Sequence, residues 1–320
     1  MTAETEYLTA KRTVDDRALN QRVLSEFSEA IATQNAPVSI CEVGAGTGTM
    51  VARLARLELL PDRCFYRLVE RNPECVSVAR THLPEWLSEA GYTCAVETKP
   101  GSETKSRRAD NSARGEDSIV ERISATDGKR ELTVEIRQQD IREISLHHQF
   151  DAVVACAVLD IVPREILSKL MGLLAPGGVC YTPITFDGLT GFVPSHPLDS
   201  AVTEAYHGHM ADRKGLGPNA GRAVLDLLSN QDTEILAVGG SDWVIRPVSG
   251  QYPNDEQFVA EYLLATVVAA VSERIDQANT QLTRSELARW ETDRNNALAQ
   301  GELTVIAHNL DILARQSAQK

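Results

Sequence analysis

The chain is short of positive charge, of aromatic side chains and of long apolar runs. Lys+Arg number 32 against 45 Asp+Glu, a formal charge of −13. A surface that neutralises phosphates needs the opposite balance, so a nucleic-acid partner is disfavoured. The longest apolar run, residues 262–271, is about half what a bilayer crossing requires, so no membrane partner is expected. The opening Met1-Thr-Ala-Glu-Thr-Glu-Tyr7 is acidic and lacks an apolar core. It is not a signal peptide, and a cytoplasmic protein is expected. None of the 6 cysteines falls in a C-x-x-C pair, so no zinc or iron–sulfur spacing exists and no metal is implied. Cys41, Cys156 and Cys180 sit in apolar runs and read as reduced, buried thiols.

What remains is an ordinary globular composition, 42% hydrophobic and 24% charged over 320 residues. Such a chain forms one large domain or two modest ones and buries about three quarters of its unfolded surface. Apolar residues at helical spacing predict a helix from Val14 to Thr33 within an N-terminal helical segment, residues 1–35. A buried strand over Pro37–Cys41 then runs into Glu42-Val-Gly44-Ala45-Gly46-Thr-Gly48, with a helix following from Thr49. A second strand, Cys64–Val69, ends at Glu70-Arg71, and Pro73 opens the next helix. Residues 99–118 are dense in charge and poor in apolar side chains, which predicts a mobile insertion. Asp127-Gly128 between two alternating runs predicts a hairpin, its second arm ending at Asp140-Ile141. Further strands are expected at Phe150–Ala155, Val179–Phe186, Glu234–Val238 and Trp243–Arg246. Residues 187–231 read as a lid insertion, and 254–320 as a helical C-terminal extension whose helices could form a homodimer interface. Strands alternating with helices imply an α/β, doubly wound, mostly parallel sheet with helices on both faces.

The segment 42–48 is the most informative. Three glycines at alternate positions, after a strand and before a helix, let the backbone turn tightly and let a ligand lie on the main chain. A dinucleotide loop needs Gly-x-Gly-x-x-Gly/Ala, and Thr49 stands at its third position. The spacing acidic-x-Gly-x-Gly-x-Gly instead resembles the cofactor loop of class I S-adenosylmethionine-dependent methyltransferases. The order of the later segments strengthens the likeness: Glu70 and Asp140 at strand ends, Phe150 to Asp160 as a fourth strand and its loop, and Leu173-Leu-Ala-Pro-Gly-Gly178 as a turn. Residues 36–247 would then form the cofactor domain, a Rossmann-like seven-stranded sheet. The resemblance implies that S-adenosylmethionine lies on Gly44, Ala45, Gly46 and Gly48 beside Glu42, with Glu70 and Arg71 at the ribose and Asp140 and Ile141 at the adenine. Cys156 stands where the family often has His, which opens the question of a base there.

The implied reaction is in-line methyl transfer to an acceptor above the strand tips. A small-molecule acceptor is expected, given the lid and the missing basic patch; an RNA or protein acceptor, or a non-catalytic scaffold that keeps the pocket, are the alternatives. Within the lid, His207 is the first candidate base because its ordinary pKa lies near neutrality, with Tyr206 and Asp160 beside it as candidate catalytic groups. Tyr7 or Arg12 could grip a carboxylate of the cofactor, and His308 and Asp311 would lie one helical turn apart in the tail.

Overall fold

The structure is a computed structural model that describes residues 2–98, 119–147, 149–229 and 233–317. The charged segment 99–118 lies outside the described residues.

The N-terminus forms three helices, α1 (Ala3–Ala10), α2 (Arg12–Ala18) and α3 (Gln21–Ala32). The helix expected from Val14 to Thr33 is therefore broken. Leu19 and Asn20 adopt extended backbone, and the Asn20 side chain accepts from Val23 N at 3.2 Å. An Asn inside a helical apolar pattern is a cap, and the cap wins over the pattern.

Strands and helices then alternate: β1 (Val38–Val43), α4 (Thr49–Arg56), β2 (Arg63–Glu70) and α5 (Pro73–Glu89), which Asn72 caps at Glu74 N. Next come β3 (Thr93–Thr98), β4 (Ile119–Thr126), β5 (Glu131–Gln138), β6 (Phe150–Val154), α6 (Glu165–Gly172) and β7 (Leu174–Val193). After β7 lie α7 (Asp199–Asp212), α8 (Ala220–Ser229), β8 (Thr233–Gly240), β9 (Trp243–Ile245), α9 (Glu256–Asp276), α10 (Arg284–Ala299) and β10 (Thr304–Gln316).

All ten strands join one sheet in the order β3-β4-β5-β2-β1-β6-β7-β10-β8, with β9 paired to β10. From β5 to β7 every pairing is parallel, and β10 runs antiparallel between β7 and β8. The segment β5 to β8 is a seven-stranded, Rossmann-like sheet as expected, but its sixth strand is β10, from outside residues 36–247; β3, β4 and β9 are added to it. On one face α3, α4 and α5 bury Phe27, Met50, Leu54 and Leu83 against Ile40, Tyr66 and Val134. On the other, α6 and α8 bury Leu170, Val224 and Leu228 against Cys41, Val153 and Ile312.

Two expectations fail here. Residues 304–316 are a strand of the sheet rather than the last helix of a tail. Their middle, Asp311 to Ala314, is buried on both faces, so Leu-Asp-Ile-Leu-Ala lacks the apolar–polar alternation that marks a half-buried strand. Consequently His308 and Asp311 are not on a helix: His308 Nδ1 meets Asp242 Oδ1 at 2.6 Å, while Asp311 is fully buried elsewhere. Second, β7 continues to Val193, and α8 packs on β7, β8 and β10 as a sheet-covering crossover helix. Of the expected lid, only the stretch around α7 leaves the sheet. With α9, α10 and the first helices it buries its own apolar set, Val14, Val202, Leu264, Val271 and Trp290, over the far end of β7 and β10.

Candidate functional site

In an open α/β sheet the loops at the carboxyl ends of neighbouring parallel strands diverge where the winding reverses, and that crevice is where a ligand can be held. A cavity of about 720 Å³ opens there. Its floor is the turn after β1. Gly44, Gly46 and Gly48 all have positive φ, at 61°, 55° and 80°. At Gly44 a side chain is barred twice, because an added Cβ would also come within 2.8 Å of Val158 Cγ2. Gly48 heads α4 and does not line the cavity, whereas Glu42, Gly44, Ala45 and Gly46 do.

Glu70, at the end of β2, reaches the same turn. Its Oε2 accepts from Gly46 N at 2.9 Å and its Oε1 from Asn72 N at 2.8 Å. Arg71, Asp140 and Ile141 line the cavity beside it. Asp140 caps a short helical turn and is held in a fork by Arg142, at 2.9 Å from Nε and 2.7 Å from Nη2. Those bonds hold the carboxyl down at about 2. The β6 end supplies Cys156, Ala157 and Val158, and the loop beyond it adds the apolar wall of Ile161, Val162 and Pro163.

The N-terminal helices close the remaining side. Leu8 and Lys11 line the cavity, and Lys11 Nζ lies 2.5 Å from Asp15 Oδ2. Tyr7 and Arg12 point elsewhere: Tyr7 stacks on Tyr262 at 4.2 Å, and Arg12 lies over the Trp86 ring at 5.3 Å. The chain changes course at Lys11, between α1 and α2, which rotates that side chain inward. The i,i+4 spacing of Lys11 and Asp15 is the signal that could have found the pair.

Of the candidate catalytic residues, none lines the cavity. His207, on α7, faces β7: its Nε2 lies 3.0 Å from Thr190 Oγ1 and its ring meets Phe186 edge-on. Burial lowers its pKa. Burial and the Asp160 carboxylate raise the Tyr206 phenol's pKa to about 12, against Arg213, and burial raises the pKa of Asp160 as well. Burial pushes the Cys156 thiol up to about 12, so it is no base near neutrality. Among the described residues no three His, Cys, Asp or Glu side chains gather as a metal site, and no helix is long and apolar enough to cross a membrane.

Glu42 is buried, accepts from the Tyr66 hydroxyl at 3.0 Å, and burial raises its pKa to about 8. Between the ordinary carboxylate range and that value the folded chain keeps a proton the unfolded chain has released. Stability therefore falls as pH rises through this window. The urea midpoint should drop between about pH 5 and pH 8, and Glu42→Gln should flatten the drop. An unchanged pH slope in that variant would show that Glu42 is ionised in the folded chain.

Residues 115–182 match the family described as "Methyltransferase domain". No curated protein sequence matches the chain. Solved structures with a similar course include a protein described as a methyltransferase from Bacillus halodurans, 12% identical, TM-score 0.46, covering 92% of this chain and 98% of that one. Another is a SAM-dependent methyltransferase from Geobacter sulfurreducens in complex with S-adenosyl-L-homocysteine, 10% identical, TM-score 0.43, covering 93% and 92%. A third is from Thiobacillus denitrificans, also in complex with S-adenosyl-L-homocysteine, 12% identical, TM-score 0.40, covering 92% of both chains.

Proposed function

We propose that this chain, a class I S-adenosylmethionine-dependent methyltransferase, transfers the methyl group to a small-molecule acceptor enclosed between the sheet's C-terminal edge and the helical layer of α1, α2, α7 and α9. One observation carries the reading: Glu70 and Asp140, from neighbouring parallel strands, border one cavity with the glycine turn 44–46. A nucleoside with an amino-acid arm needs that combination of a bare backbone surface and two spaced carboxylates.

The residues present fit the group. Gly44 and Gly46 leave the backbone open, Glu70 keeps lone pairs beyond its two amide contacts for ribose hydroxyls, and Ile141 and Val162 offer apolar faces for a base. Asp140 and the Ile141 amide would take the adenine edge. Arg142 holds that carboxylate now, yet its side chain is 68% exposed, and an exposed pair of this kind is worth about 0–1 kcal/mol. Adenine can displace it at small cost. When bound, the cofactor supplies a methyl on a sulfonium that is already a good leaving group. The protein's work is alignment and exclusion of water. Cys156 and Ala157, at the end of β6, border the reacting centre as apolar packing, with no proton to take at Cys156.

Calorimetric titration with S-adenosylhomocysteine tests the reading. One saturable site is expected, and Asp140→Ala should weaken it about tenfold, close to the value of a single hydrogen bond to a charged group. Wild-type protein giving no binding heat by titration and no shift in melting temperature would overturn the assignment.

A further inference from the structure

The cofactor site does not name the acceptor, but a group of polar atoms adjoining its Lys11 and Cys156 wall bears on it. Behind Lys11 and Cys156, side chains from α1, α2, the β6 loop, α7 and β9 converge. Asp15 is 1% exposed; its Oδ2 is taken by Lys11, and its Oδ1 has no hydrogen-bond partner. Trp243 Nε1 is likewise buried and unpartnered, with Lys11 Nζ 5.5 Å from the ring centroid. Asp160 lies between the cavity-lining Val158 and Ile161, and its backbone is fixed by Gly217 N, which donates to its carbonyl at 3.0 Å. Gly215 is pressed so close to that carbonyl that an added Cβ would come within 2.2 Å of it. The Asp160 carboxylate makes no ion pair among the described residues. Burial raises the pKa of the Tyr7 hydroxyl, and Asp15, Tyr206 and Asp160 raise it further. Tyr7 is stacked on Tyr262, and Tyr206 and Trp243 pack into the same apolar layer.

The inventory is lopsided. Its free groups are carboxylate oxygens, two phenol hydroxyls and one indole N–H, set among the faces of electron-rich rings. The two that are fully buried without a partner, Asp15 Oδ1 and Trp243 Nε1, cost stability unless a ligand satisfies them. The charges nearby supply only part of it: Lys11 and, at 3.9 Å, Arg53 are held on Asp15, Arg53 and Arg56 also hold Asp16, and Lys11 and Arg213 act on Asp160 and Tyr206 without an ion pair to the Asp160 carboxylate. A ligand that brings several N–H donors and a positive charge suits both the acceptors and the rings. A carboxylate or phosphate would meet the like charges of Asp15 and Asp160.

Resting on the methyltransferase reading, we infer that the acceptor is a small amine, bound as its ammonium among Tyr7, Asp15, Asp160, Tyr206 and Trp243 and methylated on nitrogen. One ammonium proton passes to the Asp160 carboxylate and the freed lone pair forms the new N–C bond. The S–C bond breaks with its electron pair left on sulfur. The methylated ammonium departs and the carboxylate's proton goes to water.

The test uses full-length protein saturated with S-adenosylhomocysteine, with saturation verified by calorimetry so that failure of cofactor binding is seen separately. Methylammonium chloride, sodium acetate and sodium chloride are titrated at equal ionic strength while the melting temperature is followed. Methylammonium should raise it saturably, and acetate should do no more than sodium chloride. Asp160→Asn, which breaks no ion pair, should melt like wild type without the probe and weaken the response about tenfold. Because Asp15 is held by Lys11 and matters for folding, Tyr206→Phe is the second variant; it keeps the ring and should retain most of the response. Stabilisation by acetate, no response to methylammonium, or an undiminished response in Asp160→Asn would each overturn the inference.

Discussion

Glu70→Ala should leave a folded protein whose affinity for S-adenosylhomocysteine is about a hundredfold lower. The carboxylate has two tasks. It would accept from the ribose hydroxyls, and hydrogen bonds to a charged group contribute about 1.5–3 kcal/mol. It also pins the turn itself, through Gly46 N at 2.9 Å and Asn72 N at 2.8 Å. Without it the two amides turn to water and the glycine backbone loses the shape that receives the ligand. At about 1.4 kcal/mol per tenfold, the loss of ribose contacts alone reaches about a hundredfold. Glu70→Gln keeps one acceptor oxygen and should fall between. Calorimetry on both variants gives the answer, and an affinity within twofold of wild type in Glu70→Ala would remove Glu70 from the ribose.

Asp311→Ala should cost about 3–5 kcal/mol of stability, because three buried donors lose their acceptor at about 1–3 kcal/mol each. Asp311 is fully buried. Its Oδ1 accepts from Ile184 N at 2.8 Å, and its Oδ2 from Asn20 N at 2.9 Å and the Tyr181 hydroxyl at 3.2 Å. It thus joins β10, β7 and the start of α3 at one point. Ile184 has φ of 54°, a conformation a β-branched residue resists, and the Asp311 bond is what holds it. Its neighbour Pro183 presents the carbonyl that accepts from Ala157 N at 3.0 Å, and Ala157 lines the cavity. Alanine at 311 would strand three donors and release the kink. The melting temperature should fall by roughly 10 °C. Asp311→Asn, which preserves an acceptor, should recover more than half of the loss in urea denaturation; equal loss in both variants would mean that the charge, rather than the acceptor geometry, stabilises the site.

The cavity's floor was legible in the sequence because each of its parts is a local event. A buried strand followed by alternating glycines announces a tight turn, and an acid after an apolar run announces a strand end. Glu42, Gly44, Gly46, Glu70 and Asp140 could be placed from such signals, and they border one cavity. What sequence could not place depends on contacts between distant segments. β10 is buried on both faces and loses its alternation, so its Leu-Asp-Ile-Leu-Ala centre fits a helix equally well. The inward turn of Lys11 depends on a helix boundary one residue wide, finer than apolar periodicity resolves. His207 was chosen for its chemistry, and its position on α7 turns it to Thr190 instead of the cavity. β3 went unnoticed because a short edge strand carries little apolar pattern.

The place of β10 has a consequence for synthesis on the ribosome. β8 has no partner in the sheet except β10, and β7 meets only β6 on its other side. From residue 194 onward β7, and from residue 241 onward β8 as well, present bare amides and carbonyls to the surroundings until β10 is made. Only translation of the segment 304–316 fills the gap, and it does so by threading between elements already in place. A growing polypeptide of this kind offers an open β edge to neighbouring nascent chains and to chaperones for most of the time its second half is emerging.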